Sequence, residues 1–141
     1  MAEALFRSMV EKENITGVRV WSRGLAAVER AAMPGDALGV LKAVGVDATL
    51  HRAAQLAPND VAEAWLILVM EGRHRDLLEK QFPESVGKTF LLRSYAETDG
   101  SPDIDDPMGG SPEDYEKCRI EIQSCLLGLL DKLKSHLKDQ S

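Results

Sequence analysis

The sequence predicts an α/β fold built on a parallel sheet, and three observations carry that expectation. Stretches of strand character alternate with stretches of helical periodicity from end to end, the order in which parallel strands and their crossovers follow one another. One stretch, Trp65-Leu66-Ile67-Leu68-Val69-Met70, is apolar without alternation, as a strand covered on both faces would be. The 141 residues, 44% of them hydrophobic, suit one domain with its own core, and no linker, repeat or low-complexity tract divides them.

Taken in order, residues 2, 5, 6, 9 and 10 are apolar, the spacing of an amphipathic helix. No Ser, Thr, Asp or Asn precedes this helix to cap its free N–H groups. Either it frays at an initiator Met, or the chain starts inside an element whose lead-in is missing. Asn14 to Gly17 reads as a turn, and Val18-Arg19-Val20-Trp21-Ser22 alternates as a strand would, ending in the loop Ser22-Arg23-Gly24. Pro34 opens a helix through Ala43, with Leu38, Leu41 and Val44 inward and Gly45 as its stop. Val46 to Leu50 leads to His51-Arg52, and Asn59-Asp60 caps a short helical turn before the Trp65–Met70 strand. A helix from Gly72 to Gln81 is closed by Pro83, and Lys88 to Leu92 is a third strand. The last helix, Pro112 to about Leu137, carries Tyr115, Cys118, Ile122, Cys125, Leu126, Leu129, Leu130, Leu133 and Leu137 on one stripe.

A net charge of −6 with no Lys/Arg cluster argues against nucleic acid or an acidic membrane surface as a partner. No apolar run approaches the length of a bilayer span, and no basic stretch followed by an apolar one opens the chain, so a soluble, cytoplasmic protein is expected. Cys118 and Cys125 lie seven residues apart, about 10 Å along a helix, too far to bridge. They read as buried thiols of a reducing compartment. His51, His74 and His136 are scattered, Cys/His ligand spacing is absent, and no Gly-rich dinucleotide or Walker-type loop occurs, so no metal or cofactor is expected.

The concentration of charge is at Asp103-Ile104-Asp105-Asp106-Pro107-Met108-Gly109-Gly110-Ser111, three carboxylates within four residues. Pro107 holds its own φ and pushes Asp106 toward extended backbone, Gly109 and Gly110 permit turns closed to other residues, and Ser111-Pro112 reads as a helix N-cap and first position. Carboxylates here are either caps and solvated loop charges or, alternatively, an acid placed to protonate a leaving group. In open α/β sheets ligands bind beyond the carboxyl ends of the strands, which would bring Ser22-Arg23-Gly24, Met70-Glu71 and the Asp103–Gly110 loop to one site. An attacking group is not evident: at the sixth position after Cys118 stands Ser124 and after Cys125 Asp131, so neither cysteine opens a Cys-x5-Arg anion cradle.

Two stretches, Met1-Ala2-Glu3-Ala4-Leu5-Phe6-Arg7 and Asp106-Pro107-Met108-Gly109-Gly110-Ser111, together resemble the low-molecular-weight protein tyrosine phosphatase family, nearest its bacterial members, including the protein-arginine phosphatases. Further signatures fall in the same order: Ser22-Arg23-Gly24 for a Ser-Ala-Gly type turn, Pro34-Gly35 opening a helix, Gly45-Val46 with His51-Arg52-Ala53, and Leu66 to Met70 for the third family strand. The resemblance covers the chain as one domain, residues 1–141. It implies a three-layer, flavodoxin-like parallel sheet with helices on both faces, whose first, central strand and Cys-x5-Arg-Ser-Pro loop lie upstream of Met1. On that expectation the chain is N-terminally truncated, lacks its nucleophile and is inactive alone. The absent strand would leave a gap between Val18–Ser22 and Trp65–Met70 whose open edges favour self-association.

The resemblance also implies a chemistry: removal of phosphate from phosphotyrosine or phosphoarginine on a protein, or from a small phosphate ester, by a Cys thiolate with Asp106 as general acid. Ser22 and His51 would support the phosphate loop, and Arg52 reads as a surface charge. Met108 and Gly109 stand where aromatic residues commonly wall a phosphotyrosine pocket, which tilts toward a smaller or non-aromatic substrate. One alternative is a pseudo-enzyme, an interaction module whose centre a partner fills. Another is an arsenate reductase relative relaying electrons through Cys118 and Cys125, against which their place on the last helix speaks.

Overall fold

A 28-residue helix sets the packing of the computed structural model, which describes residues 1–96 and 100–139. In chain order the elements are α1 (Ala2–Lys12), α2 (Gly35–Lys42), α3 (Pro58–Glu63), β1 (Ile67–Val69), α4 (Gly72–Gln81), β2 (Thr89–Leu91) and α5 (Pro112–Asp139), with 3₁₀ turns at Pro83–Ser85 and Leu92–Tyr95. The stripe read on α5 is its buried face from Tyr115 to Leu130, and it packs with Leu5, Phe6 and Val10 of α1 and Leu41 of α2. The turn at Leu92–Tyr95 presses onto the same helix at Gly128, where a Cβ would lie 2.1 Å from the Tyr95 carbonyl oxygen. Only a residue without a side chain permits that approach.

The helix ends follow local chemistry. Helix α1 opens at Met1 with no side-chain cap. Helix α2 stops at Gly45, whose φ of +80° lets Val46 N–H reach back to the Leu41 carbonyl at 2.9 Å. The cap expected at Asn59-Asp60 is displaced toward the N-terminus. Ala57 holds the cap position, Pro58 the first turn, and the Asp60 carboxylate accepts Ala57 N–H at 2.9 Å. At the other end of α3 the Lys88 amino group donates to the Val61 carbonyl and, at 2.9 Å, to that of Ala64.

Strands β1 and β2 pair in parallel with Ile67 opposite Thr89, Leu68 opposite Phe90 and Val69 opposite Leu91. Leu66, Leu68 and Met70 join the α1–α2–α5 core, so the alternate residues Ile67 and Val69 turn to the other face, and α4 packs against both strands. Two expectations are corrected here. Val18–Ser22 is not a strand of the sheet, and among the described residues no backbone hydrogen bond joins it to Trp65–Met70. Its alternation is that of one apolar face: Val18 and Val20 pack on the core, while the Val20 carbonyl accepts from the Arg7 guanidinium and Arg19 pairs with Glu63 at 2.6 Å. Trp65–Met70 is not buried on both faces either. Its three strand residues are half-buried, because a strand with one described neighbour is not enclosed, and Trp65 is 66% exposed with its ring against that of His136, centroids 4.6 Å apart. Among the described residues no helix is long and apolar enough to cross a membrane.

Candidate active site

The acidic loop is anchored at its beginning. Ile104, 2% exposed, donates its N–H to the Met70 carbonyl at 2.8 Å, just past the end of β1. Beside it Asp103 Oδ1 accepts Gly72 N–H at 2.9 Å, at the first residue of α4. Asp103 is thus a carboxylate satisfying the start of a helix. Past Ile104 the loop makes its own turns. Asp106 Oδ1 accepts Met108 N–H at 2.9 Å, and Gly110 N–H donates to the Pro107 carbonyl at 2.8 Å across Gly109, whose φ is +80°. A Cβ at Gly110 would lie 2.6 Å from Asp114 Oδ2, so the second glycine admits the carboxylate that accepts Ser111 N–H at 3.0 Å. Ser111 Oγ returns the bond by accepting Asp114 N–H at 3.3 Å, a reciprocal cap that starts α5.

This turn forms one wall of a cavity of about 250 Å³. Asp106, Pro107 and Met108 line it with His51, Ala53 and Tyr115, beside Met1 of the α1 start and the segment Ala31–Pro34. Met108 stands 74% exposed at this wall. Gly109 does not line the cavity; it serves the turn that presents Met108. The segment opposite is held by a second set of backbone bonds: Gly24 N–H to the Ala54 carbonyl at 2.8 Å, Leu56 N–H to the Gly24 carbonyl at 2.9 Å, and Ala53 N–H to the Ala31 carbonyl at 2.8 Å. Ser22-Arg23-Gly24 is thereby fastened to the stretch that carries His51. A separate cavity, about 230 Å³ at Arg93 and Ser101, touches none of these residues.

Ser22 reaches the site through a residue that sequence reasoning passed over. Its hydroxyl donates to Glu3 Oε1 at 3.0 Å, while Glu3 Oε2 lies 3.1 Å from the Arg7 guanidinium and 3.7 Å from His51 Nδ1. The Glu3–Arg7 spacing of four residues is legible as a helical ion pair, but the contacts to Ser22 and His51 are long-range and leave no local mark. Arg23 and Arg52 serve structure: the first pairs with Asp60 at 3.3 Å, and the second donates to the carbonyls of Thr49 at 2.9 Å and His51 at 2.7 Å. Glu71, expected at the same site, pairs instead with Arg73 and His74.

The thiols are not poised for attack. Burial, followed by the Glu121 carboxylate and then those of Asp106 and Asp105, pushes the Cys118 thiol up to about 11, although the chain's amino terminus opposes this. Burial likewise raises Cys125, against the opposing effect of Arg93. A thiol that stays protonated is a poor nucleophile and a poor redox relay. Among the described residues no group of three His, Cys, Asp or Glu side chains could hold a metal ion.

Comparison with known proteins shows the family of the chain. The family model described as low molecular weight phosphotyrosine protein phosphatase matches residues 1–139. A protein-arginine-phosphatase of Geobacillus stearothermophilus is 36% identical over 129 residues, 91% of this chain and 85% of the relative. A probable low molecular weight protein-tyrosine-phosphatase, EpsP, of Ralstonia nicotianae is 33% identical over 123 residues, 87% of this chain and 79% of the relative. Among solved structures, the YwlE arginine phosphatase of Geobacillus stearothermophilus superposes with a TM-score of 0.88 at 35% identity, covering 99% of this chain and 87% of that one.

Proposed function

The chain belongs to the low molecular weight phosphotyrosine protein phosphatase family, and on that premise we propose that it acts on phosphorylated protein side chains with Asp106 as the acid that protonates the leaving atom. The observation that carries this reading is the placement of Asp106 in the wall of the cavity it shares with His51, Met108 and Tyr115. Met108 N–H engages Oδ1, which leaves Oδ2 as the oxygen to hold the proton. In the first step a thiolate attacks phosphorus, the P–O or P–N bond breaks, and Asp106 passes its proton to the departing oxygen or nitrogen. In the second, Asp106 as carboxylate takes a proton from the water that attacks phosphorus, the S–P bond breaks, and the thiolate is restored as inorganic phosphate leaves.

The thiolate and anion cradle are not among the 141 residues, since neither cysteine is followed by Arg at the sixth position. We assign them to a Cys-x5-Arg-Ser-Pro loop of the family's type, with Ser22 and His51 holding its shape. The exposed, flexible Met108 in place of an aromatic wall favours phosphoarginine over phosphotyrosine, a choice that the name of the 36% identical relative also favours. The free, buried thiols suit a reducing cytoplasm.

The test compares the 141-residue chain with the same chain extended by a β-strand and that loop, each given phosphoarginine peptide and phosphotyrosine peptide. The bare chain is expected to match the blank, because an acid with no nucleophile supplies only ~10²–10⁴-fold, whereas enzymes reach ~10²¹-fold on phosphate monoesters. The extended chain is expected to turn over both, phosphoarginine faster. An extended chain that folds and hydrolyses neither contradicts the reading.

A further inference from the structure

Arg30 stands at the edge of the cavity and has no part in the reaction proposed above. The wall opposite the acidic loop runs from Ala31 to Pro34, so Arg30 is the residue at its outer end, and its side chain is exposed. Its backbone takes a φ of +64°, a left-handed conformation that favours glycine and is uncommon for a long side chain. Bonds on both sides hold it there. Arg30 N–H donates to the Ala53 carbonyl at 2.8 Å, Ala31 N–H to the Val28 carbonyl at 3.1 Å, and Ala53 N–H to the Ala31 carbonyl at 2.8 Å. Strain of this kind persists where the surroundings over-determine it, and it gathers at sites that clamp a ligand.

The root of Arg30 is fixed and its head is free. Among the described residues no hydrogen bond or ion pair engages its guanidinium, whereas Arg7, Arg19 and Arg23 pair with Glu3, Glu63 and Asp60, and Arg52 donates to backbone carbonyls. The carboxylate beside it in the chain, Glu29, is turned to Gln55, whose N–H it accepts at 2.5 Å. Arg52, exposed and opposite Ala32 across a backbone bridge, adds a second cation on the same side of the mouth. On the other side the acidic loop carries the exposed Asp105 and Asp106. The mouth is therefore positive on one lip and negative on the other, in a chain whose net charge is −6.

We propose that Arg30 reads the sequence around the phosphorylated residue, by pairing with the carboxylate of an Asp or Glu that flanks that residue in the substrate protein. This rests on the proposed function. An extended segment that sends its phosphorylated side chain into the cavity lays its neighbours across the lips at ~3.3–3.6 Å per residue. An acidic neighbour meets attraction on the Arg30 side and repulsion on the Asp105 side. A contact to a flanking residue is the same before and during phosphoryl transfer, so it belongs to KM and not to kcat.

The test measures KM and kcat of the extended chain on three phosphoarginine peptides, alike except that Glu, Gln or Lys flanks the phosphorylated residue. The parent is expected to favour Glu over Gln by ~1.5–5-fold in KM, the worth of an exposed ion pair, and 1 M salt is expected to abolish the preference. Arg30→Lys should keep it, Arg30→Gly should lose it although glycine suits the φ, and Arg30→Glu should reverse it toward Lys. A purely structural Arg30 would shift all three peptides alike and leave their order unchanged. A parent without a preference for Glu, or a preference that survives Arg30→Glu, overturns the proposal and leaves the phosphatase reading standing. No turnover of any peptide fails that reading and this proposal with it.

Discussion

Asp103 and Asp106 are three residues apart in one loop, bear the same charge and have opposite employment. Asp103 lies beside the buried Ile104 and spends Oδ1 on the first N–H of α4, so that end of the loop is bonded to both the sheet and a helix. Asp106 is exposed, bonds among the described residues to the N–H of Met108 two residues on, and stands in the wall of a cavity. The anchored end fixes where the loop leaves the sheet, and the self-contained turn can then present a carboxylate without spending it on the fold. Preorganisation of that kind is what an acid needs to meet a leaving atom in line.

The contrast predicts unequal responses along the loop. The largest is at Asp106, where Asn in the extended, thiolate-bearing chain is expected to lower kcat by ~10²–10⁴-fold on substrates with poor leaving groups while the urea midpoint stays put. Ile104→Ala is expected to cost ~2–5 kcal/mol in urea unfolding, because it empties a buried site and loosens the anchor. Asp103→Ala should lose about 0.5–2 kcal/mol, the worth of a helix cap, and Asp103→Asn, which keeps an acceptor for Gly72 N–H, should recover most of it. Smallest of all, Asp105→Asn is expected to stay within about 0.5 kcal/mol in stability and to leave kcat close to that of the parent, since its partner contact, the Cys118 thiol, uses its backbone oxygen. A loop in which Asp103→Ala and Asp106→Asn behaved alike would remove the distinction.

Local chemistry made much of this legible in advance. The bounds of α2, α4 and α5 follow from Pro34, Gly45, Pro83 and Ser111-Pro112, and the α5 stripe is the core face. The Asp-Pro-x-Gly-Gly turn also follows from its residues, since Gly109 takes a positive φ and Gly110 makes room for Asp114. Tertiary pairing was not legible. Val18–Ser22 alternates because one face is apolar, yet a strand needs a backbone neighbour, which alternation does not supply. Nor could spacing tell Asp103 from Asp106, because the difference lies in Gly72 and Met70, more than thirty residues away. Glu3 was hidden in the same manner, its two distant partners leaving no pattern near it.

The most direct test of Asp106 as proton donor is a leaving-group series in the extended chain, parent against Asp106→Asn, on aryl phosphates running from nitrophenolate to unactivated phenols. A group that donates a proton matters only when the leaving atom needs one. The ratio of parent to variant rate is therefore predicted to be near one for nitrophenolate and to rise steadily as the leaving phenol becomes less acidic. A ratio that is the same across the whole series would contradict the assignment of Asp106.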